Sequence, residues 1–277
     1  MMDVLNQNPL ARLNALAQRH SHSVVGRHVQ WRSFGQGAPL VLLHGGHGSW
    51  LHWARNIDAL SRKHQLWLPD MPGFGESDAA GPAGMADLLD AMQAGLDQLL
   101  GAQTHFDLAG FSFGGLVAAK LAARCQRVRR LALLGPGGHG GERRPTGVLL
   151  NWHRLKDEAQ VAQAMRQNLL LHMLHHSAAL DAQALQIHTE ACRATRFRSK
   201  PISLAGGLGA ALAQYQGELL LAWGEHDVTA TPEQLVQTLA LQNPQRQTLI
   251  VPGAGHWVQY EAAEVINQQL LSFFKSE

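Results

Sequence analysis

Short apolar runs alternate along this chain with stretches whose apolar residues recur at helical spacing. Leu40–Leu43, Gln65–Leu68, Thr104–Ala109, Val128–Leu134, Leu219–Trp223 and Thr248–Val251 read as buried strands. Between and after them, Leu51–Leu60, Met85–Leu100, Leu116–Arg124, Pro232–Leu241 and Glu261–Phe274 read as helices. Val24–Phe34 predicts one further early strand, closed by a turn at Gly35-Gln36-Gly37. Residues 4–19 predict an amphipathic surface helix with Arg12 and Arg19 on its polar side. Strands that are apolar throughout, separated by helices, mean a mostly parallel central sheet flanked by helices: an α/β fold.

One interval breaks this rhythm. It opens on a glycine-rich turn at Gly137, Gly138, Gly140 and Gly141, and it contains no convincing strand. Helical patterns occupy Asp157–Leu174 and Leu180–Arg193, and a second glycine turn lies at Gly206–Gly209. Connections between neighbouring strands are usually far shorter. The expected organisation is therefore a core of residues 1–137 and 214–277, with 138–213 inserted as a helical cap.

Composition narrows the partners. The 277 residues carry a formal charge of only +2, so strong attraction to nucleic acid or a membrane surface is not expected. No apolar run reaches the roughly 20 residues of a membrane span. The N-terminus lacks a basic region followed by an apolar stretch, so no signal peptide is expected. Cys125 and Cys192 do not make a disulfide framework and read as reduced thiols. A cytoplasmic protein acting on a small molecule is expected, with a homo-oligomer left open.

The chemistry concentrates at strand ends. Gly110-Phe111-Ser112-Phe113-Gly114 pinches a serine between glycines where a strand runs into a helix. So sharp a turn tolerates no bulk two positions either side, and it lifts the hydroxyl clear of the sheet. An activated serine needs a base, and the base an orienting acid. Past the strand at 219–223 stands Gly224-Glu225-His226-Asp227, and past the strand at 248–251 stands Pro252-Gly253-Ala254-Gly255-His256. Open α/β sheets place their ligand sites in such loops. The expected triad is Ser112, His256 and Asp227, with Glu225 as the rival acid. The expected oxyanion donors are the amides of Phe113 and of Gly46, in the turn His44-Gly45-Gly46-His47-Gly48.

These segments together resemble the α/β-hydrolase family, over nearly the whole chain. The resemblance rests on L-V-L-L-H-G-G (40–46), P-D-M-P-G-F-G-E-S-D (69–78), G-F-S-F-G (110–114), G-E-H-D (224–227) and G-A-G-H-W (253–257). It implies an α/β-hydrolase fold, the order serine, acid, histidine, and a serine-nucleophile hydrolase with no cofactor. A serine at the elbow departs from the haloalkane dehalogenase and epoxide hydrolase pattern, which uses aspartate. Within the family, the H-G-G loop, R-N-I (55–57), and Trp257 followed by Gln259 and Glu261 resemble the meta-cleavage product hydrolases, which split carbon–carbon bonds. That resemblance implies dienoate binding by Trp257 and by a cap arginine, Arg196 first and Arg193 second. His47 and Gly48 depart from it, standing where those enzymes usually read glycine, proline, glycine. Ester hydrolysis, by a carboxylesterase or lactonase, is the alternative.

Phe111 and Phe113 are expected to floor the substrate pocket, with Gly45 on its loop side. His172, His175 and His176 have helical spacing, but no carboxylate or cysteine completes a metal set, so no metal is expected and they read as exposed cap residues. Asp70 and Asp78 read as residues that fix loop geometry. Two other functions use the same scaffold: cofactor-free perhydrolysis or dioxygenation, and non-catalytic ligand binding.

Overall fold

Val25 and Gly26 both adopt positive φ, 51° and 71°, which reverses the chain in two residues. The computed structural model, which describes residues 8–240, 243 and 245–275, therefore has a hairpin where the sequence predicts one strand. β1 (Gln18–Val24) pairs antiparallel with β2 (Arg27–Phe34). The preceding helix is correspondingly shorter. α1 spans Pro9–Leu16, capped by Asn8, whose side chain accepts from the amides of Leu10 and Ala11. Residues 4–7 of the expected helix lie outside the described residues, and 18–19 belong to β1.

The sheet continues through β3 (Ala38–Leu43), β4 (His64–Pro69), β5 (Phe106–Phe111), β6 (Val128–Leu134), β7 (Glu218–Gly224) and β8 (Arg246–Val251), in the order β1-β2-β4-β3-β5-β6-β7-β8. β2 runs antiparallel to β4, and every later pairing is parallel. Alternate residues feed two cores. Val41, Leu43, Leu108, Leu131 and Leu221 face one side, with α3 (Met85–Leu100) and α4 (Phe113–Arg124). Leu40, Leu42, Ala109, Leu134 and Leu220 face the other, with α1 and the C-terminal helices. Each fully buried leucine contributes about 1.5–3 kcal/mol.

The expected helix over Leu51–Leu60 is broken into a 3₁₀ turn, Trp50–Trp53, and α2, Ile57–Leu60. At the break the buried Asn56 amide donates to Gln259 O at 3.0 Å and Asn267 Oδ1 at 2.8 Å. Those bonds tie the loop after β3 to the C-terminal segment.

Between β6 and β7 the chain makes no strand. It runs without regular secondary structure from Gly141 to Asn151, then forms α5 (Glu158–His172), α6 (Ala182–Ala194), α7 (Ser199–Leu204) and α8 (Leu208–Gln214). Asp157 and Asp181 cap α5 and α6 by accepting from the amides of Gln160 and Ala184. Leu208, Ala211 and Leu212 of α8 pack into the α4 side of the core.

After β7 come α9 (Pro232–Leu239), then α10 (Val258–Glu261) and α11 (Ala263–Phe273) beyond β8. The one helix expected over Glu261–Phe274 is thus preceded by a separate short turn of helix. Leu241, the expected end of α9, lies outside the described residues. No helix among the described residues is long and apolar enough to cross a membrane. Cys125 and Cys192 are both buried and unbridged.

Candidate active site

β5 ends at Phe111 and α4 begins at Phe113, so Ser112 alone makes the turn, at φ 53° and ψ −118°. For a residue with a side chain this is strained backbone. Gly114 shows why the turn excludes bulk. A Cβ there would lie 2.2 Å from His44 O and 2.7 Å from Leu43 O, both backbone atoms of the neighbouring strand end.

Three loops bring the predicted groups together. The Ser112 hydroxyl lies 2.9 Å from His256 Nε2, and His256 Nδ1 lies 2.8 Å from Asp227 Oδ2. With Nδ1 protonated toward the carboxylate, Nε2 presents its lone pair to the serine proton. Asp227 and His256 are buried. Burial pushes the Asp227 carboxyl up. The His256 ring and the hydrogen bonds from His256 and Thr229 outweigh that and hold it below its ordinary value. The rival acid Glu225 is elsewhere, accepting from Gly253 N at 2.8 Å.

On the loop after β3, His44 Nδ1 donates to Gly45 O at 2.8 Å, and its Nε2 accepts from Met71 N at 3.0 Å. The Gly45 amide donates to His52 Nδ1 at 3.2 Å. Gly45 therefore sits behind the loop, against the Phe111 ring, and does not line the cavity. Gly46 does. A Cβ on Gly46 would lie 3.7 Å from Phe113 Cβ and 2.4 Å from Ser199 Oγ, so Gly46 and Phe113 are neighbours across the serine. Among the described residues neither amide donates to a protein acceptor. Asp70 and Asp78 do fix loops: Asp70 accepts from the amides of Trp50 and Glu76 and pairs with buried Arg32, and Asp78 accepts from His28 N.

A cavity of about 370 Å³ opens above Ser112, floored by Phe111 and Phe113. Besides Gly45, two further expected substrate contacts are not in it. Trp257 is fully buried on the far side of its own backbone, where its Nε1 donates to His52 O at 3.0 Å and its ring stacks on Tyr260. Arg196 turns outward and donates to the carbonyls of Ala194, Gly75 and Ser77, and Arg193 pairs with Glu158 at the surface.

The cavity's cations are instead Arg143, on the irregular segment after β6, and Lys200 at the start of α7. Neither forms an ion pair among the described residues. Burial lowers the Arg143 guanidinium from its ordinary value, with the Asp227 charge opposing. A partly desolvated guanidinium with no partner is a ready anion site.

The cap histidines divide. His175 and His176 are exposed, their amides held by Glu261, and His175 stacks on His226. His172, expected to be exposed, lines the cavity, with its ring centroid 5.7 Å from that of His256. His188 lines it as well, from α6. Among the described residues no group of three or more histidines, cysteines or carboxylates is placed to hold a metal ion.

Arg143 carried no readable signal, because it lies in a segment without periodicity. His172 and His188 did. Each falls on the buried stripe of its helix, beside Asn168 and Leu169 in α5 and Ile187 and Ala191 in α6. A polar residue on an apolar stripe marks a wall that faces something other than core.

Known proteins show the same build. A model of the alpha/beta hydrolase family matches residues 40–269. The dihydrolipoyllysine-residue acetyltransferase component of an acetoin cleaving system from Pseudomonas putida is 32% identical over 269 residues, covering 91% of this chain and 68% of that protein. A 2-hydroxy-6-oxo-6-phenylhexa-2,4-dienoate hydrolase from Burkholderia cepacia is 28% identical over 255 residues, covering 86% of this chain and 88% of that protein. In fold, the carboxylesterase CesB from Bacillus subtilis superposes with a TM-score of 0.76 at 21% identity, over 98% of this chain and 96% of that one.

Proposed function

Because this chain belongs to the alpha/beta hydrolase family, we propose that it is a serine hydrolase of small-molecule carbonyl substrates. Ser112 is the nucleophile, His256 the general base and then acid, and Asp227 the carboxylate that orients His256. The reading is carried by the unbroken hydrogen-bond chain from Ser112 through His256 to Asp227, at 2.9 and 2.8 Å, opening on a cavity.

Ser112 Oγ attacks the substrate carbonyl as His256 Nε2 takes its proton. The oxyanion that forms is met by the amides of Gly46 and Phe113, which have no other partner among the described residues. Donors fixed in advance cost no reorganisation when the charge develops. His256 then returns the proton to the leaving group. Water, activated by the same imidazole, releases the acyl group. Only protein groups and water are needed. The insert 138–213 serves as the cap: its irregular segment, α5, α6 and α7 wall the cavity, while 208–213 rest on the core.

The bond cleaved first is an ester bond, since Trp257 and Arg196, which would favour a dienoate, both face away. Carbon–carbon hydrolysis of a meta-cleavage dienoate is the second reading, and Arg143 is the observation that favours it. That guanidinium stands in the cavity where it can fork a substrate carboxylate, and the Burkholderia cepacia relative is named for such a substrate.

The test is purified protein against a chromogenic ester series, a ring-cleavage dienoate and a fluorophosphonate probe. Ser112→Ala is expected to abolish labelling and turnover together. Full turnover in that variant would remove Ser112 from the mechanism. Ester turnover without dienoate turnover would remove the second reading alone.

A further inference from the structure

His172 and His188 are the two polar side chains that the long cap helices lower into the cavity without committing them. Asn168 also lines it, but its Oδ1 accepts from Leu150 N at 2.8 Å and its Nδ2 donates to Leu150 O at 3.0 Å. Thr229 is held by Asp227. His172 makes no hydrogen bond among the described residues. Among the described residues the His188 ring has one hydrogen-bond-range neighbour, the Cys192 thiol, whose sulfur is 3.8 Å from Nδ1 and 3.7 Å from Nε2. A sulfur equidistant from both nitrogens lies along the lone pair of neither. Burial also pushes that thiol up to about 12, so Cys192 offers no charge.

We propose that His172 and His188 form a hydroxyl-recognition subsite, so that favoured substrates carry a hydroxyl group on the part that rises from Ser112 toward the cap. This rests on the hydrolase reading and names its substrate class.

The chemistry of the two rings selects the ligand. A neutral imidazole presents one N–H donor and one lone pair, and a hydroxyl presents one donor and two acceptors. Carboxylates only accept, so a carboxylate can take the N–H of each ring but leaves both lone pairs without a donor, whereas a hydroxyl can supply one. The anion's place is Arg143, which offers donors alone. Burial holds both rings in the neutral form, His172 down to about 3 and His188 to about 4. The His256 ring beside His172 and the His47 ring beside His188 act in the same direction, with the Asp227 charge opposing at His172. An apolar group against this roof would leave the ring nitrogens unpaired, and a site built around hydrogen bonds rejects the analogue that lacks them. Both rings line the cavity over Ser112. His172 adjoins His256, and His188 stands within electrostatic reach of His47 beside Gly46, so a substrate hydroxyl rising from Ser112 toward the cap meets these rings.

The experiment compares 4-nitrophenyl 3-phenylpropanoate with its ortho-, meta- and para-hydroxyphenyl analogues, each tested on wild type, His172→Phe, His188→Phe and His172→Gln. Every variant is judged by the ratio of kcat/KM between hydroxylated and parent ester, so partial misfolding cancels. In the wild type at least one hydroxylated isomer is expected to exceed the parent about tenfold or more. The phenylalanine variants are expected to bring that ratio near one, and His172→Gln, which keeps a donor and an acceptor, to retain part of it. A wild-type ratio near one for all three isomers, with the esters still hydrolysed, overturns the subsite and leaves the hydrolase reading standing. A ratio that survives both phenylalanine variants also overturns it. No hydrolysis of any of these esters by wild type overturns the subsite together with the ester reading, and leaves carbon–carbon hydrolysis to the dienoate assay.

Discussion

Thr229 grips the Asp227 carboxylate twice, with its amide 2.7 Å and its hydroxyl 2.8 Å from Oδ1. That leaves Oδ2 aimed at His256. Thr229→Val keeps the shape and the amide bond but removes the hydroxyl. A hydrogen bond to a charged group contributes about 1.5–3 kcal/mol. Expected is a fall in kcat of roughly tenfold or more with little change in KM. Asp227→Asn should cost on the order of 10⁴ in kcat by presenting the wrong tautomer. Steady-state kinetics on any ester that wild type hydrolyses checks both, and an unaltered kcat in Thr229→Val would show that the amide alone suffices.

Arg143 and Arg196 separate by substrate charge. Arg143→Met should raise KM about tenfold for an ester carrying a carboxylate and leave its neutral counterpart within about twofold, the loss of one charge-assisted contact. Arg196→Ala should not discriminate, because Arg196 is spent on the carbonyls of Gly75 and Ser77. Discrimination by Arg196→Ala instead would place the anion site outside the cavity described.

Gly114→Ala tests the elbow's steric logic. The new methyl would press on the backbone at His44 and Leu43. Overpacking of this kind costs about 3 kcal/mol, or roughly 6–12 °C in Tm for a chain of this size. Calorimetry would show it, and an unshifted Tm would mean that the turn relaxes more freely than its contacts imply.

Protons couple to folding through His172. Burial, reinforced by the nearby His256, lowers it from 6.5 to about 3. The unfolded chain therefore takes up a proton at 6.5 that the folded chain refuses until about 3. Stability on this account is complete above pH 6.5 and declines as pH falls toward 3. His172→Phe should flatten the Tm-against-pH curve across that window. Parallel curves for variant and wild type would refute the coupling.

The sheet was legible because its strands are apolar on both faces, and the site because strand ends are where such sheets put chemistry. Order and context alone singled out Ser112, Asp227 and His256, which the fold brings into one hydrogen-bonded chain. Directions were not legible in that way. Trp257 follows His256 in sequence, yet its ring points to His52 and Tyr260, since adjacent residues on a turn can face opposite ways. The run His188–Arg196 offered two cap arginines, and both proved to be outside the cavity. The hairpin at Val25-Gly26 is weakly signalled, because valine seldom adopts positive φ and leaves Gly26 as a lone turn residue inside an otherwise strand-like run. Arg143 was hidden for a different reason: only the folded insert brings that segment over Ser112.

The bond between Ser112 and His256 joins residues 144 positions apart. A ribosome delivers Ser112 long before His256. On the proposed mechanism, Ser112 has no base until β8 docks on β7 and the loop after it is in place. A nascent chain or a truncated copy that ends before β8 would carry the elbow without His256. Turnover would then report that the C-terminal edge of the sheet has formed.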